Sequence, residues 1–373
     1  MRRLLIISPN FPPVNSPDSA RVRSSLRYYR EYGWEARVLA FAPDETAQSI
    51  EPDLLALVDA ETPVEKVEAW PLHRTRWFGL RNQGWRGWRR LRRAGSEIIQ
   101  SWKPDLVLFS TTVFSAFYHG PFWKRRFGVP FVLDLQDPWF NDHYRKNPDQ
   151  KPPGGYKYHV ASWIARHGEK HVYPSSAGFI SVSSGYFDDL AHNHPAIKVP
   201  QLVLPFVPDE YDWDWVRSHP QTDSSVISQK KPDSIHLVAM GRGGRDMAPA
   251  LNSLLRALAA MPDLRQRLTV HLIGTAYTDR SRPRPQFTAD IQRWQSHLNI
   301  QEVPWRIGYI ESLRWMDQAS VNLILGSSDQ RYSPSKFNNT LRAGRPMLVV
   351  TTSNTELADL THEQPDCFLK FPV

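Results

Sequence analysis

Lys336 stands in RYSPSKFNNTLRAGRPMLVV, residues 331–350. Ser333 and Pro334 suit the cap and first position of a helix, Gly344 and Pro346 suit its stop, and a buried strand follows from Met347. Lys336 is then predicted in the first helical turn. The macrodipole there favours negative charge, so a lysine belongs in that turn when it shares an anion with free backbone amides. The segment GRGGRD, residues 241–246, adds glycines that let backbone approach a ligand, and two guanidinium groups, Arg242 and Arg245, able to grip a diphosphate. Its spacing is not GxGxxG, so a dinucleotide fingerprint is not supported, and a plain surface turn stays open for this segment alone. Taken jointly, Gly241, Arg242, Arg245, Ser335 and Lys336 predict a cradle for a nucleotide diphosphate at the carboxyl ends of strands.

A second constellation is carboxylate-based. FVLDLQDPW places Asp134 near the end of a buried strand and Asp137 just beyond it. A carboxylate there orients a sugar hydroxyl or takes its proton; a helix cap or structural salt bridge is an equal alternative. STTVFSAFYH, with Ser110, Thr111, Thr112 and His119, is expected to face the same cleft. SPNFPPVNSPDSARVR follows the first strand as a proline-rich turn into a helix with Arg21 and Arg23 in its opening turns, which decides little alone. Two metal suggestions are weak. HGEKH, residues 167–171, lacks the HExxH order and a third ligand, and DWD, residues 212–214, falls in an expected linker.

The most basic stretch is RTRWFGLRNQGWRGWRRLRRAG, residues 74–95, with no acid between Glu68 and Glu97. From Trp85 onward, Trp88, Leu91, Ala94, Ile98 and Trp102 share one helical face, so a helix packing tryptophans on a sheet is one account. An interfacial patch for anionic lipid headgroups is another. RNA binding ranks third, because no RNA-binding motif accompanies the stretch.

These residues must be positioned by a repeating scaffold. Short apolar, β-rich runs at 4–8, 36–41, 105–110, 131–135, 178–183 and 202–206 alternate with helical stretches, then restart at Ile235, Leu268, Val321 and Pro346. That is the rhythm of two parallel α/β domains. The polar, proline-bearing stretch between them predicts domains at 1–207 and 235–373 with a linker at 208–234. The chain has 373 residues, a formal charge of +8 and a pI near 9.5, which points to anionic partners. Its only cysteine is Cys367, and no apolar run has the length of a signal-peptide core or a membrane span, so a reducing cytoplasmic setting is expected.

The quoted motifs resemble the family 4 group of GT-B glycosyltransferases over nearly the whole chain. In the first half the resemblance lies in LLIISPNFPPV, REYGWEARVLAF, KPDLVLFSTT, FGVPFVLDLQDPW and AGFISVSSGYFDDL; in the second it lies in HLVAMGRGGRD, VHLIG, LRWMDQASVNLIL and SPSKFNNTLRAGRPML. The resemblance implies two Rossmann-like domains with parallel sheets facing an interdomain cleft, and a nucleotide-sugar donor as co-substrate. It also implies a glycan or lipid-linked acceptor, retention of configuration, and no obligatory metal or other cofactor; the residues of 74–95 add, by themselves, an expected attachment to the inner face of a membrane with an anionic surface. Arg242 or Arg245 and Lys336 would contact the donor diphosphate, with Gly241, Ser335 and Asn339 beside them. Asn339 stands where many relatives carry glutamate, and can still hydrogen-bond a ribose hydroxyl. Asp137 and His119 are the catalytic candidates, with Asn10, Asn15, Ser16, Thr111 and Asp134 on the acceptor side. A non-catalytic nucleotide-sugar-binding protein of the same fold is the alternative; an RNA-associated protein comes after it.

Overall fold

The computed structural model describes residues 1–44, 49–78, 80–140, 156–220, 227, 233–328 and 336–351. The chain forms two compact units, Met1–Phe206 and Val207–Val373. In the first unit β1 (Arg2–Ile7), β2 (Trp34–Phe41), β3 (Val64–Val67), β4 (Leu106–Ser110), β5 (Phe131–Leu135), β6 (Gly178–Ser181) and β7 (Gln201–Val203) form one sheet. Their order is β3-β2-β1-β4-β5-β6-β7, and every pair is parallel. In the second unit β8 (Ile235–Met240), β9 (Leu268–Ile273), β10 (Asn299–Val303), β11 (Val321–Leu325) and β12 (Met347–Val350) run in the order β10-β9-β8-β11-β12, again all parallel. The chain therefore reverses its direction of winding between β1 and β4, and between β8 and β11. Crevices open beyond the carboxyl ends of strands at such switch points.

The ten expected strands are present, and β3 and β10 are additions. VEKV and NIQEV carry charged and amide side chains that hide their strand character. Both lie at sheet edges, where pairing on one side only leaves room for polar residues.

Burial explains the apolar runs. Leu5 and Ile7 of β1 enter a core with Leu39, Phe41, Val107, Phe109, Phe131 and Leu133, whereas Leu4 and Ile6 enter the opposite one with Val22, Leu26, Val38 and Leu108. Alternate residues point to opposite faces, and both faces are covered. The helix Trp88–Trp102 buries Leu91, Ala94, Ile98 and Trp102 against the first of these cores. Gly95 inside it makes room for an aromatic ring, since a Cβ there would lie 2.2 Å from the Trp123 indole.

The stretch expected as a linker contains a helix, Glu210–Ser218, started by the Asp209 carboxylate accepting from the Tyr211 amide. Trp213 and Val216 of this helix are buried in the second unit, and Asp212 accepts a hydrogen bond from the Tyr309 hydroxyl at 2.8 Å. Asp212 is thus a structural acceptor. Among the described residues no helix is long and apolar enough to cross a membrane.

Candidate functional site

The second unit places a pocket at its switch point, where β8 runs into GRGGRD and β11 into Gly326–Ser328. Gly241, Arg242, Thr275, Tyr277, Lys336 and Thr340 line it, above a floor from β8 and β11. Gly241 has φ +122°, a conformation that L side chains rarely adopt, and a Cβ there would sit 2.6 Å from the Lys336 ammonium. The glycine therefore makes the space in which Nζ sits. Lys336 keeps much of its overall surface accessible, yet its ammonium end is closely surrounded. The surroundings of Nζ, not the exposure of the whole residue, set its acidity: burial first and the Arg306 charge second lower its pKa to about 8.

Arg242 is held by a fork. Its two terminal nitrogens donate to Asp246 Oδ1 at 3.2 Å and Oδ2 at 3.0 Å, and these bonds hold the Asp246 carboxyl below its usual range. Ser327 Oγ donates to the same carboxylate at 2.6 Å, and the Ser328 amide donates to the Asp246 carbonyl at 2.9 Å, which ties the β8 loop to the β11 loop. Asp246 organises this pocket, a role not read from its sequence. Three departures from expectation stand beside it. Arg245 is exposed and does not line the pocket. The helix after Lys336 spans Phe337–Arg342, so the lysine is its N-cap residue, one position before the first turn, and Thr340 lines the pocket where Asn339 does not. Ser335 lies outside the described residues.

The first unit gathers a carboxylate cluster at the ends of β1, β4 and β5. Asp18, in the first turn of the helix Pro17–Ser25, is buried and accepts from Asn10 Nδ2, Ser16 Oγ, Thr111 Oγ1 at 3.0 Å, the Thr112 amide at 3.0 Å and Thr112 Oγ1 at 3.2 Å. Asp134 is fully buried and accepts from Ser110 Oγ at 2.7 Å, with Arg21 Nε at 3.0 Å. Burial raises its carboxyl pKa despite that arginine. Asp134 is an internal ion-pair residue, which settles the open alternative for it. Asp137 is exposed at the strand end; partial desolvation first and the nearby Asp18 charge second raise its pKa above 3.8. Asn10, Ser16 and Thr111 thus join one network. The Asn15 amide donates to Glu51 Oε2 at 2.9 Å.

His119 departs most from expectation. Its ring is fully buried, 4.2 Å from the Trp88 ring and 5.3 Å from that of Trp123, and Arg92 Nε donates to its Nδ1 at 3.4 Å. Burial, then the Arg92 charge, lowers its pKa to about 3. It is a neutral core residue. In HGEKH, Glu169 is buried and accepts from the Phe140 amide, Tyr173 and His194. Among the described residues no group of three or more His, Cys, Asp or Glu could hold a metal ion.

Residues 19–206, just over half of the chain, match the glycosyl transferase 4-like domain family. The chain belongs to that family. This membership makes it a glycosyltransferase by family, and the parallel sheets in tandem are those of the GT-B fold. Among solved structures it is similar to WaaG, a glycosyltransferase involved in lipopolysaccharide biosynthesis, at 14% identity and a TM-score of 0.54, over 96% of this chain and 84% of that one. The α,α-trehalose 6-phosphate synthase of Burkholderia multivorans gives 11%, 0.55, 96% and 84% in the same order. An E. coli trehalose-6-phosphate structure bound with UDP-2-fluoro-glucose gives 8%, 0.56, 96% and 86%. At these identities the likeness speaks for the fold. No curated protein matches the chain by sequence.

Proposed function

We propose that the protein transfers a sugar from a nucleotide-sugar donor to a glycan or lipid-linked acceptor, with retention of configuration and without an obligatory metal. The observation that carries this is the Lys336 ammonium lodged against Gly241 and beside Arg242 at the switch point of the second sheet. A departing nucleoside diphosphate needs positive charge where its own negative charge develops, and two cations held in a small pocket supply it. Asp137, on the acceptor side, is the accessible carboxylate of its cluster and orients the incoming hydroxyl. One of the similar folds carries UDP-2-fluoro-glucose, which makes uridine diphosphate sugars the first donors to try.

A thermal-shift panel of nucleotides and nucleotide sugars tests the donor assignment. A ligand at 100 times its dissociation constant adds about 2.7 kcal/mol of stability, a shift of several degrees. A panel with no stabilising nucleotide would overturn the donor pocket, and binding without hydrolysis or transfer would reduce the protein to a binder.

The arginine-rich stretch supports a place at a membrane surface. Trp70, Trp77, Leu80 and Trp85 are exposed, Trp77 by 81%. Arg86, Arg90 and Arg93 pair with Asp44, Glu68 and Glu97, whereas Arg74, Arg81 and Arg89 have no carboxylate partner among the described residues. Indoles at the headgroup level and free guanidinium groups suit anionic lipid. The protein is expected to sediment with anionic vesicles and not with neutral ones. Replacing Arg74, Arg81 and Arg89 by glutamine removes about 1 kcal/mol per residue, roughly a hundredfold in partition. Equal binding to both vesicle types would exclude this attachment.

A further inference from the structure

The buried Asp18 carboxylate was not among the residues that sequence reasoning picked, yet it touches more of the acceptor side than any that were. Its side chain accepts from Asn10 and Ser16 of the loop after β1, and from Thr111 and Thr112 of the turn after β4. Its backbone carbonyl accepts from Gln136 Nε2 at 3.0 Å, in the turn after β5. Gln136 is itself buried, donates to Ser110 Oγ at 2.8 Å, and immediately precedes Asp137. One turn further along the helix, Arg21 pairs with Asp134 and donates to the Leu204 carbonyl at 2.6 Å, beyond the end of β7. The opening of the helix Pro17–Ser25 thus reaches the ends of β1, β4, β5 and β7.

We propose that Asp18 is a positioning residue for the acceptor side: it acts through Thr112 and Asp137, fixing the three strand-end turns in one arrangement and setting the negative potential in which Asp137 works. This rests on the assignment of Asp137 to the acceptor side. Five donor contacts are far more than a helix start requires, because an N-terminal acid needs only one or two free amides of its own helix. Here none of the side-chain bonds goes to the helix's own amides; apart from the N-cap Ser16 hydroxyl they come from other loops, up to 94 residues away in sequence. The titratable groups that interact with Asp137 are Asp18 on the helix Pro17–Ser25 and the Tyr186 phenol on the helix Gly185–Asn193. Partial desolvation is the larger cause of the raised Asp137 pKa, and Asp18 is the carboxylate whose charge adds to it.

The test uses the full chain with carboxyl-labelled aspartate, the Asp137 signal being assigned from Asp137→Asn. In Asp18→Asn the Asp137 titration midpoint is expected to move down. The Thr112 amide, released from its carboxylate, is expected to exchange with solvent about tenfold faster. An unmoved midpoint in a folded Asp18→Asn protein would overturn the proposal, because a purely structural acid would quicken exchange without altering the titration. Should Asp18→Asn not fold, Thr111→Val removes one donor and keeps the charge. It is expected to leave the Asp137 midpoint in place and speed Thr112 exchange; unchanged exchange would overturn the clasp. The two readings fail separately, since a protein that bound no nucleotide sugar would sink the donor assignment while leaving this coupling measurable.

Discussion

Lys336→Ala is expected to weaken nucleoside diphosphate binding by about 10- to 100-fold, the 1.5–3 kcal/mol carried by a hydrogen bond to a charged group. Titration calorimetry with the best-stabilising nucleotide of the panel measures it. The pH dependence sharpens the assignment. With its pKa lowered to about 8, the free lysine is charged below that value and loses its proton above it. Binding an anion favours the ammonium, so affinity is flat below pH 8 and falls as pH rises through it, by up to about tenfold per unit. Lys336→Ala abolishes that dependence, and Lys336→Arg flattens it while retaining charge. A Lys336→Ala protein that bound as tightly as wild type would remove the ammonium from the site.

The second large effect is on stability. His119 in the first unit and His271 in the second are buried as neutral rings, with pKa values of about 3 and about 4. Desolvation is the main cause in both, with the Arg92 charge added for His119 and the His236 charge for His271. His271 Nε2 lies 3.0 Å from His236 Nδ1, so protonating both rings would set donor against donor. The unfolded chain titrates near the ordinary 6.5, so the folded state holds fewer protons below that pH. Stability is therefore complete above about pH 6.5 and is lost as pH falls. By pH 5 each histidine costs about 2 kcal/mol, and the His119 cost grows to about pH 3, where that of His271 has levelled off near pH 4. Urea denaturation between pH 7 and pH 5 measures the slope. His119→Phe is expected to lose one proton's share of it, and a slope unchanged in that variant would place His119 in contact with water.

The scaffold was readable because strands buried on both faces need nearly continuous apolar residues, and β1, β4, β5, β8 and β11 have them. The edges β3 and β10 were not, since pairing along one side constrains their composition little. At the pocket, Gly241, Arg242 and Lys336 were legible from chemical type: glycine beside cations after a strand implies a close approach by an anion. Arg245 looked equal to Arg242 on that basis. What separates them is the Asp246 fork, four residues along, whose orientation depends on Ser327, 81 residues away. Asp18 and His119 were illegible or misread for the same physical cause. A buried polar group is defined by its partners, and those of Asp18 lie up to 94 residues distant. His119 was assigned to the strand-end turn, but the 3-10 turn Phe114–Tyr118 intervenes and carries the chain beneath the Trp88 ring.

The Arg242 fork also bears on how the pocket meets an incoming anion. A guanidinium already satisfied by a carboxylate greets a phosphate by swapping counter-ions, so its contribution is the difference between two attractions. Lys336, with no carboxylate partner among the described residues, supplies the remaining charge. Affinity for a diphosphate should therefore weaken less steeply with added salt than the number of nearby cations suggests, and Asp246→Asn, by removing that carboxylate charge, should steepen that dependence.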